Sequence, residues 1–194
     1  GINYAQVNLR ADGSPDIEAI KKASADKSVT AVLIQRSRGY GDRPAFSAEQ
    51  IGEIARAVKE VDPSINVMVD NCYGEFTGEH EPTEYGVDLM AGSLIKNPGG
   101  GLAPTGGYVV GKAELVERAA MRLTTPGIGG ECGATLGNNR LLFQGLFMAP
   151  HIVAQALKTA TFCSAMMSKI GFETSPAPNE VRSDIIQMVT LRTA

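Results

Sequence analysis

Residues 29–70 hold two short apolar runs separated by one amphipathic helix, and this arrangement leaves the chain few folds to choose from. Val29-Thr-Ala-Val-Leu-Ile-Gln35 and Ile65-Asn-Val-Met-Val-Asp70 are nearly continuous apolar, β-branched runs. Strands buried on both faces, as in parallel sheets, read this way. Between them, Ser47-Ala-Glu-Gln50 has capping-box spacing. Ile51, Ile54, Ala55, Val58 and Val61 follow at helical spacing, and Asp62-Pro63-Ser64 stops the helix. The segment reads as a βαβ unit, which implies parallel strands and a right-handed crossover.

The rest of the chain continues the alternation. Ser14-Pro15 predicts a helix start, with Ser14 as N-cap and Ile17, Ile20 and Ala23 as its apolar stripe. Val87–Ser93 and Tyr108–Val110 predict short strands, and Glu114–Leu123 predicts a helix. Ala134–Phe147 and Pro150–Ile170 predict two consecutive helices. Residues 171–180 read as a connector, and Ile185–Leu191 as a last strand. Such alternation predicts an α/β fold. Residues 1–148 read as part of one large domain. Residues 149–194 read as an inter-domain helix and the start of a small C-terminal domain. The chain begins Gly-Ile-Asn-Tyr and ends just after an apolar run, so both ends read as cut and a fragment of a longer protein is expected.

Composition narrows the function classes. The net charge is -3 with the signs mixed along the 194 residues, so there is no electrostatic footprint for nucleic acid or an anionic membrane. No apolar run approaches the roughly 20 residues needed to span a bilayer, and no signal peptide is evident at the start. The three cysteines, Cys72, Cys132 and Cys163, have no CxxC spacing. That argues against a disulfide framework and a zinc site and for a reducing, cytoplasmic compartment. The two histidines, His80 and His151, are too few for a His-rich metal cluster.

Open parallel sheets place ligands at the carboxyl ends of their strands. Three polar clusters fall at such ends: Arg36–Tyr40, Asp70–Tyr73 and Ser93–Lys96. Asp70 follows Asn66-Val-Met-Val69, so its carboxylate is expected to be partly desolvated and to favour a cationic partner. A protonated pyridine nitrogen is one such partner; a helix cap, a turn or a metal are others. Lys96 follows the apolar run before Ile95, where desolvation lowers an amine's pKa and makes it nucleophilic enough to form an imine. A plain surface lysine is the alternative. Ser93 is placed to donate to a phosphate or to end a strand. Ser93-Leu-Ile-Lys96 also matches the Ser-x-x-Lys of penicillin-recognising hydrolases, but Pro98 and three glycines break the helix that motif needs. Gly127-Ile-Gly-Gly130 is not a dinucleotide fingerprint, and no Walker A loop or H-E-x-x-H occurs.

The combination is more specific than its parts. Asp70-Asn71-Cys72-Tyr73, a lysine 26 residues after Asp70, then Gly99-Gly100-Gly101 and Gly106-Gly107 resemble fold-type I pyridoxal-phosphate (PLP) enzymes of the cysteine/methionine-metabolism branch. Gln35–Tyr40, Val69–Phe76, Ser93–Gly101 and Gly127–Gly133 resemble more closely the methionine gamma-lyase-related group of aluminium resistance proteins. The resemblance implies a three-layer αβα PLP-transferase-like large domain with a mostly parallel sheet. It implies pyridoxal 5'-phosphate as cofactor, held as a Schiff base by Lys96, which then shuttles protons. It places Asp70 on the pyridinium nitrogen, Ser93 on the phosphate and, across branches, Tyr73 on the phenolic oxygen. Arg36 or Arg38 would take a substrate carboxylate, with a solvated turn charge as the rival reading.

The function so implied is a carbon–sulfur lyase of methionine gamma-lyase or cystathionine beta-lyase type. It would act on an amino-acid substrate as a homodimer or homotetramer. The rivals are an aminotransferase or other PLP chemistry on the same fold, and a non-catalytic α/β binding protein. The phosphate loop and stacking aromatic that such enzymes carry upstream of the aspartate do not occur in residues 1–28.

Overall fold

A computed structural model of the chain describes residues 2–123, 127–131, 133, 135 and 137–191. The βαβ unit forms as β1 (Ala31–Gln35), α2 (Ala48–Val61) and β2 (Asn66–Asp70), preceded by α1 (Ile17–Ser24). β1 and β2 pair in parallel with Gln35 opposite Asp70. β3 (Leu89–Ser93) pairs in parallel with β2, and β4 (Gly107–Gly111) is antiparallel to β3. The sheet order β1-β2-β3-β4 is the mostly parallel αβα arrangement of a fold-type I large domain.

The capping box starts α2 as its spacing predicts. Ser47 Oγ accepts from Gln50 N at 3.2 Å, and Ser47 N donates to Gln50 Oε1 at 2.9 Å. Ile51, Ile54, Ala55 and Val58 of α2 then bury with Ile34, Val67, Val69 and Met90 in one core. Each such large side chain contributes roughly 1.5–3 kcal/mol of transfer free energy. The other sheet face is less covered: Leu33 stays 71% exposed, so the two-sided burial expected of its run is not reached there. Asp88, 1% exposed, ties the layers together. It bonds Lys59 of α2 at 2.6 Å, Lys112 at 2.7 Å and the Val67 N–H of β2 at 2.7 Å.

Several boundaries differ from expectation. Asp16, not Ser14, caps α1, accepting from Ala19 N at 3.1 Å. Ser14 is drawn instead into a turn by Asp12, whose Oδ1 takes both its N–H and its hydroxyl. After α3 (Ala113–Leu123), the two predicted helices following Ala134 are one, α4 (Asn139–Ile170), with Pro150 inside it. Leu146 and Pro150 are both exposed, so water reaches the carbonyl that Pro150 leaves unbonded. One such break costs about 3 kcal/mol, and 32 residues of helix absorb it. Ala134 and Leu136 lie outside the described residues, as do Thr124–Pro126 and Cys132 of the glycine-rich loop. Within the expected connector, β5 (Glu173–Ser175) pairs antiparallel with β6 (Met188–Thr190), which is shorter than the strand predicted there. Among the described residues no helix is long and apolar enough to cross a membrane.

α4 also positions the segment after β3. It packs on a 3-10 turn, Asn97–Gly99, through a buried stripe that includes Gly145 and Ala149. A Cβ at Gly145 would lie 2.2 Å from the Gly99 carbonyl oxygen. Only glycine permits this approach.

Candidate functional site

The carboxyl ends of β1, β2 and β3 lie side by side, Gln35 beside Asp70 and Asp70 beside Ala91. Asp70 is the last residue of β2. Lys96 stands three residues past β3 as N-cap of the 3-10 turn, its N–H on the Ser93 carbonyl at 3.3 Å. The Lys96 Nζ lies 4.3 Å from the centroid of the Tyr73 ring. Tyr73 and Phe76 both hold left-handed backbone, with φ of 70° and 60°. Each costs about 1–2 kcal/mol for a non-glycine residue. Such strain persists only where surrounding contacts impose it.

A cleft of about 400 Å³ runs along the less covered sheet face, past Leu33, Met68 and Ala91, to the strand ends at Asp70, Cys72 and Ser93. Asp70, Ser93 and Cys72 therefore share one cavity wall. Cys72 is also a neighbour of the Lys96 amine, so the lysine, the tyrosine and the aspartate meet through it. Asp70 Oδ1 accepts from Cys72 N at 3.1 Å. Neither Asp70 nor Lys96 has an ion-pair partner among the described residues.

The electrostatics depart from expectation at the lysine. Burial works against the Lys96 ammonium, but Cys72 and Tyr73 outweigh it and hold the amine above its ordinary range. The apolar run before Lys96 predicts a depressed amine instead. Desolvation is still the largest single influence on the amine, but Ile95 is exposed and Lys96 only half-buried, so it stays smaller than the contributions of Cys72 and Tyr73 together. Burial, then Asp70, pushes the Cys72 thiol up, so it stays protonated.

The two arginines after β1 are already engaged. Arg36, 2% exposed, donates to Asn71 Oδ1 and Glu81 Oε2, both at 2.8 Å, and to Thr77 Oγ1 at 3.3 Å. Arg38, 5% exposed, donates to the Arg43 carbonyl and to Ser175 O and Oγ. Neither is a solvated turn charge, and neither is open to a substrate carboxylate.

Sequence reasoning misses the network that Arg36 enters. Asn71 Nδ2 donates to Glu81 Oε2 at 3.1 Å and to the Tyr108 hydroxyl oxygen at 3.2 Å. Tyr108 in turn donates to Glu75 Oε1 at 2.7 Å. Burial pushes the Glu75 carboxyl up to about 7 and the Tyr108 hydroxyl well above its ordinary range. Glu75 and Glu81 read as polar turn residues in sequence. The one available signal is Asn71, fixed in the motif beside Asp70.

Comparison with known proteins follows the same residues. The family model described as methionine gamma-lyase matches residues 1–194. A Clostridium novyi protein described as a carbon-sulfur lyase involved in aluminum resistance is 52% identical, with a TM-score of 0.94 over 98% of this chain and 45% of that one. A Listeria monocytogenes protein described as involved in aluminum resistance is 49% identical, with a TM-score of 0.94 over 98% of this chain and 47% of that one. A curated protein of Lactobacillus delbrueckii subsp. bulgaricus is 51% identical over 97% of this chain and 62% of its own length. The chain thus spans about half the length of the relatives it matches.

Proposed function

The chain belongs to the methionine gamma-lyase family, and on that premise we propose that the whole protein is a PLP-dependent carbon–sulfur lyase with Lys96 as its cofactor-bearing residue. The substrate class is a sulfur amino acid such as methionine, cystathionine or cysteine. One observation carries the reading. A carboxylate ends β2 in the wall of the cleft and an amine follows the adjacent parallel β3 by three residues, with Cys72 of the cleft wall beside it, and neither is committed to an ion pair among the described residues.

These residues fit the cofactor. Asp70 offers an unpaired carboxylate to a protonated ring nitrogen, its usual partner in such sites. Ser93 lines the same cleft, and its hydroxyl is in reach of a phosphate there. When bound, the cofactor supplies an electron sink for charge developing at the substrate's α-carbon. Asp70 would keep that sink effective by supplying the negative charge that holds the ring nitrogen protonated. With the cofactor bound, the Lys96 amine would take the substrate's α-proton and return protons as the thiol leaves. Tyr73 orients the Lys96 amine through its ring face.

The same reading extends to the wider protein. Residues 1–148 form part of the cofactor-binding large domain, and residues 149–194 lead into a smaller one. The assembly is a homodimer or homotetramer in the cytoplasm, where the free Cys72 and Cys163 suit a reducing milieu.

The test is borohydride reduction of the full-length natural protein supplied with PLP, followed by peptide mass mapping. A pyridoxyl mass on the Lys96 peptide is expected, with thiol release from a sulfur amino acid in a parallel assay. An unmodified Lys96 would overturn the proposal and leave the non-catalytic binding protein as the better reading.

A further inference from the structure

Glu75 takes no part in the chemistry proposed above, yet it sits where the two loops that carry it meet. Its side chain is buried, at 4% exposure. Its backbone carbonyl accepts from Asn97 Nδ2 at 2.9 Å, and Asn97 directly follows Lys96. Its Oε1 accepts from Tyr108, whose oxygen accepts from Asn71 Nδ2, and Asn71 directly follows Asp70. Its Oε2 is buried with no hydrogen-bond partner among the described residues. Gly92 of β3 leaves the space for this carboxyl, since a Cβ there would lie 2.5 Å from Glu75 Oε1. Two residues earlier, Tyr73 holds its left-handed backbone under the Lys96 amine.

We propose that Glu75 is a positioning residue: by gaining and losing a proton it moves the Asn71–Tyr73 loop against Lys96 and so tunes the reactivity of the Lys96 amine. The ionised form accepts a strong bond from Tyr108 but leaves a charged oxygen buried without a partner. The protonated form relieves that desolvation and weakens the Tyr108 bond. The two forms therefore place different demands on the Tyr108–Asn71 chain. Every charged or titratable group facing the carboxyl bears on the balance. Arg36 after β1 favours the anion, Glu81 disfavours it, and Tyr108 on β4 supplies the hydrogen bond. Burial dominates and brings the transition to about 7, inside the working range of a cell.

The meaning of this device rests on Lys96 being the functional amine, but its test does not. The full-length natural protein, freed of cofactor, is acetylated with acetic anhydride at a series of pH values either side of 7, and modification of Lys96 is read by peptide mass mapping. The wild type is expected to depart from a single-group amine profile by about fivefold, in a step centred near 7. Glu75→Gln keeps the shape of the side chain and should abolish the step. Tyr108→Phe, which leaves Glu75 in place, should move its midpoint. A step unchanged in folded Glu75→Gln overturns the proposal, and if that variant does not fold, an unmoved midpoint in Tyr108→Phe overturns it. Borohydride mapping of the same wild-type protein decides the cofactor separately: a step near 7 with no pyridoxyl on Lys96 sinks the lyase reading and leaves the role of Glu75 standing.

Discussion

The Lys96 amine rests over the face of the Tyr73 ring, 4.3 Å from its centroid, and Tyr73 adopts a φ of 70° in doing so. A backbone cost of about 1–2 kcal/mol is thus held against a cation–π contact of about 0.5–2 kcal/mol. The contact at most offsets the strain, and the hydrogen bonds around Asn71 and Glu75 add to what holds the loop. Replacing Tyr73 by Leu removes the ring face and the hydroxyl that support the ammonium. The Lys96 pKa should then fall, as read by NMR of the 13C-methylated lysine in the cofactor-free protein. A Lys96 pKa that stays or rises would show that Tyr73 does not govern the amine.

Lys96 and Asp70 should separate in kinetics. Lys96→Ala removes the group proposed to carry the cofactor and move protons, and thiol release should be abolished. Asp70→Asn keeps the shape but removes the negative charge. Loss of one preorganised electrostatic partner costs about 100- to 1,000-fold in kcat. Asp70 makes no structural ion pair among the described residues, so the variant should unfold within about 0.5 kcal/mol of wild type. An Asp70→Asn enzyme of full activity would remove Asp70 from the site.

Gly145→Ala tests how α4 supports the lysine loop. Helix propensity favours alanine by about 1 kcal/mol. Its Cβ, however, would meet the Gly99 carbonyl oxygen at 2.2 Å and the carbonyl carbon at 2.8 Å. These are backbone atoms of the turn that follows Lys96, so the turn must move. Overpacking of this kind costs about 1–3 kcal/mol. The variant should melt lower and take up less PLP, measured by thermal unfolding and by pyridoxyl incorporation after reduction. Equal melting and equal uptake would show that helix and turn separate freely.

The fold is legible in the sequence where local rules decide. Ser47 and Gln50 sit at fixed offsets that only a helix start uses, and the box forms. The apolar runs at β1 and β2 permit little besides parallel pairing, and that pairing alone puts Asp70 at a strand end where ligands bind. Pro150 reads as a break because local propensity says so, yet the small stripe at Gly145, Ala149 and Val153 gives α4 a buried face that runs past it. The Arg36–Asn71–Tyr108–Glu75 network is invisible in sequence for another reason. Its members come from separate segments, and a polar residue in a turn carries no sign that another segment will bury it. The elevated Lys96 amine likewise depends on Tyr73, which a strained loop brings under it.

Asp88 should account for part of the acid sensitivity of the fold. Burial opposes its charge, but Lys112, Lys59 and the Val67 N–H outweigh that and hold the carboxyl below its ordinary range. With a depressed folded-state pKa, its contribution is present above the unfolded value of about 4 and is lost as pH falls through the folded one. Asp88→Asn leaves two ammonium groups without their anion. A broken buried pair costs about 3–5 kcal/mol, less here because Lys112 is 57% exposed; about 2–3 kcal/mol is expected. Urea unfolding at neutral pH measures that loss, and a change under about 0.5 kcal/mol would place Asp88 among ordinary surface substitutions.

Glu75 should contribute with the opposite sign. Its folded-state pKa is raised from an ordinary 4.5 to about 7. Below 4.5 the carboxyl is protonated in both the folded and unfolded chain, and its burial is least costly. From 4.5 to about 7 the folded chain keeps a proton that the unfolded chain has released, so stability falls as pH rises. Above 7 both states are ionised and the penalty is complete. The shift sets an upper bound of about 3 kcal/mol on that fall. Glu75→Gln cannot ionise, and its buried amide brings only a pH-independent offset. The difference between wild type and variant in urea unfolding should therefore grow across this window in the variant's favour and then level off. A difference constant from pH 4.5 to 7 would mean that Glu75 is already ionised in the fold and that its second oxygen has found a partner in the complete protein.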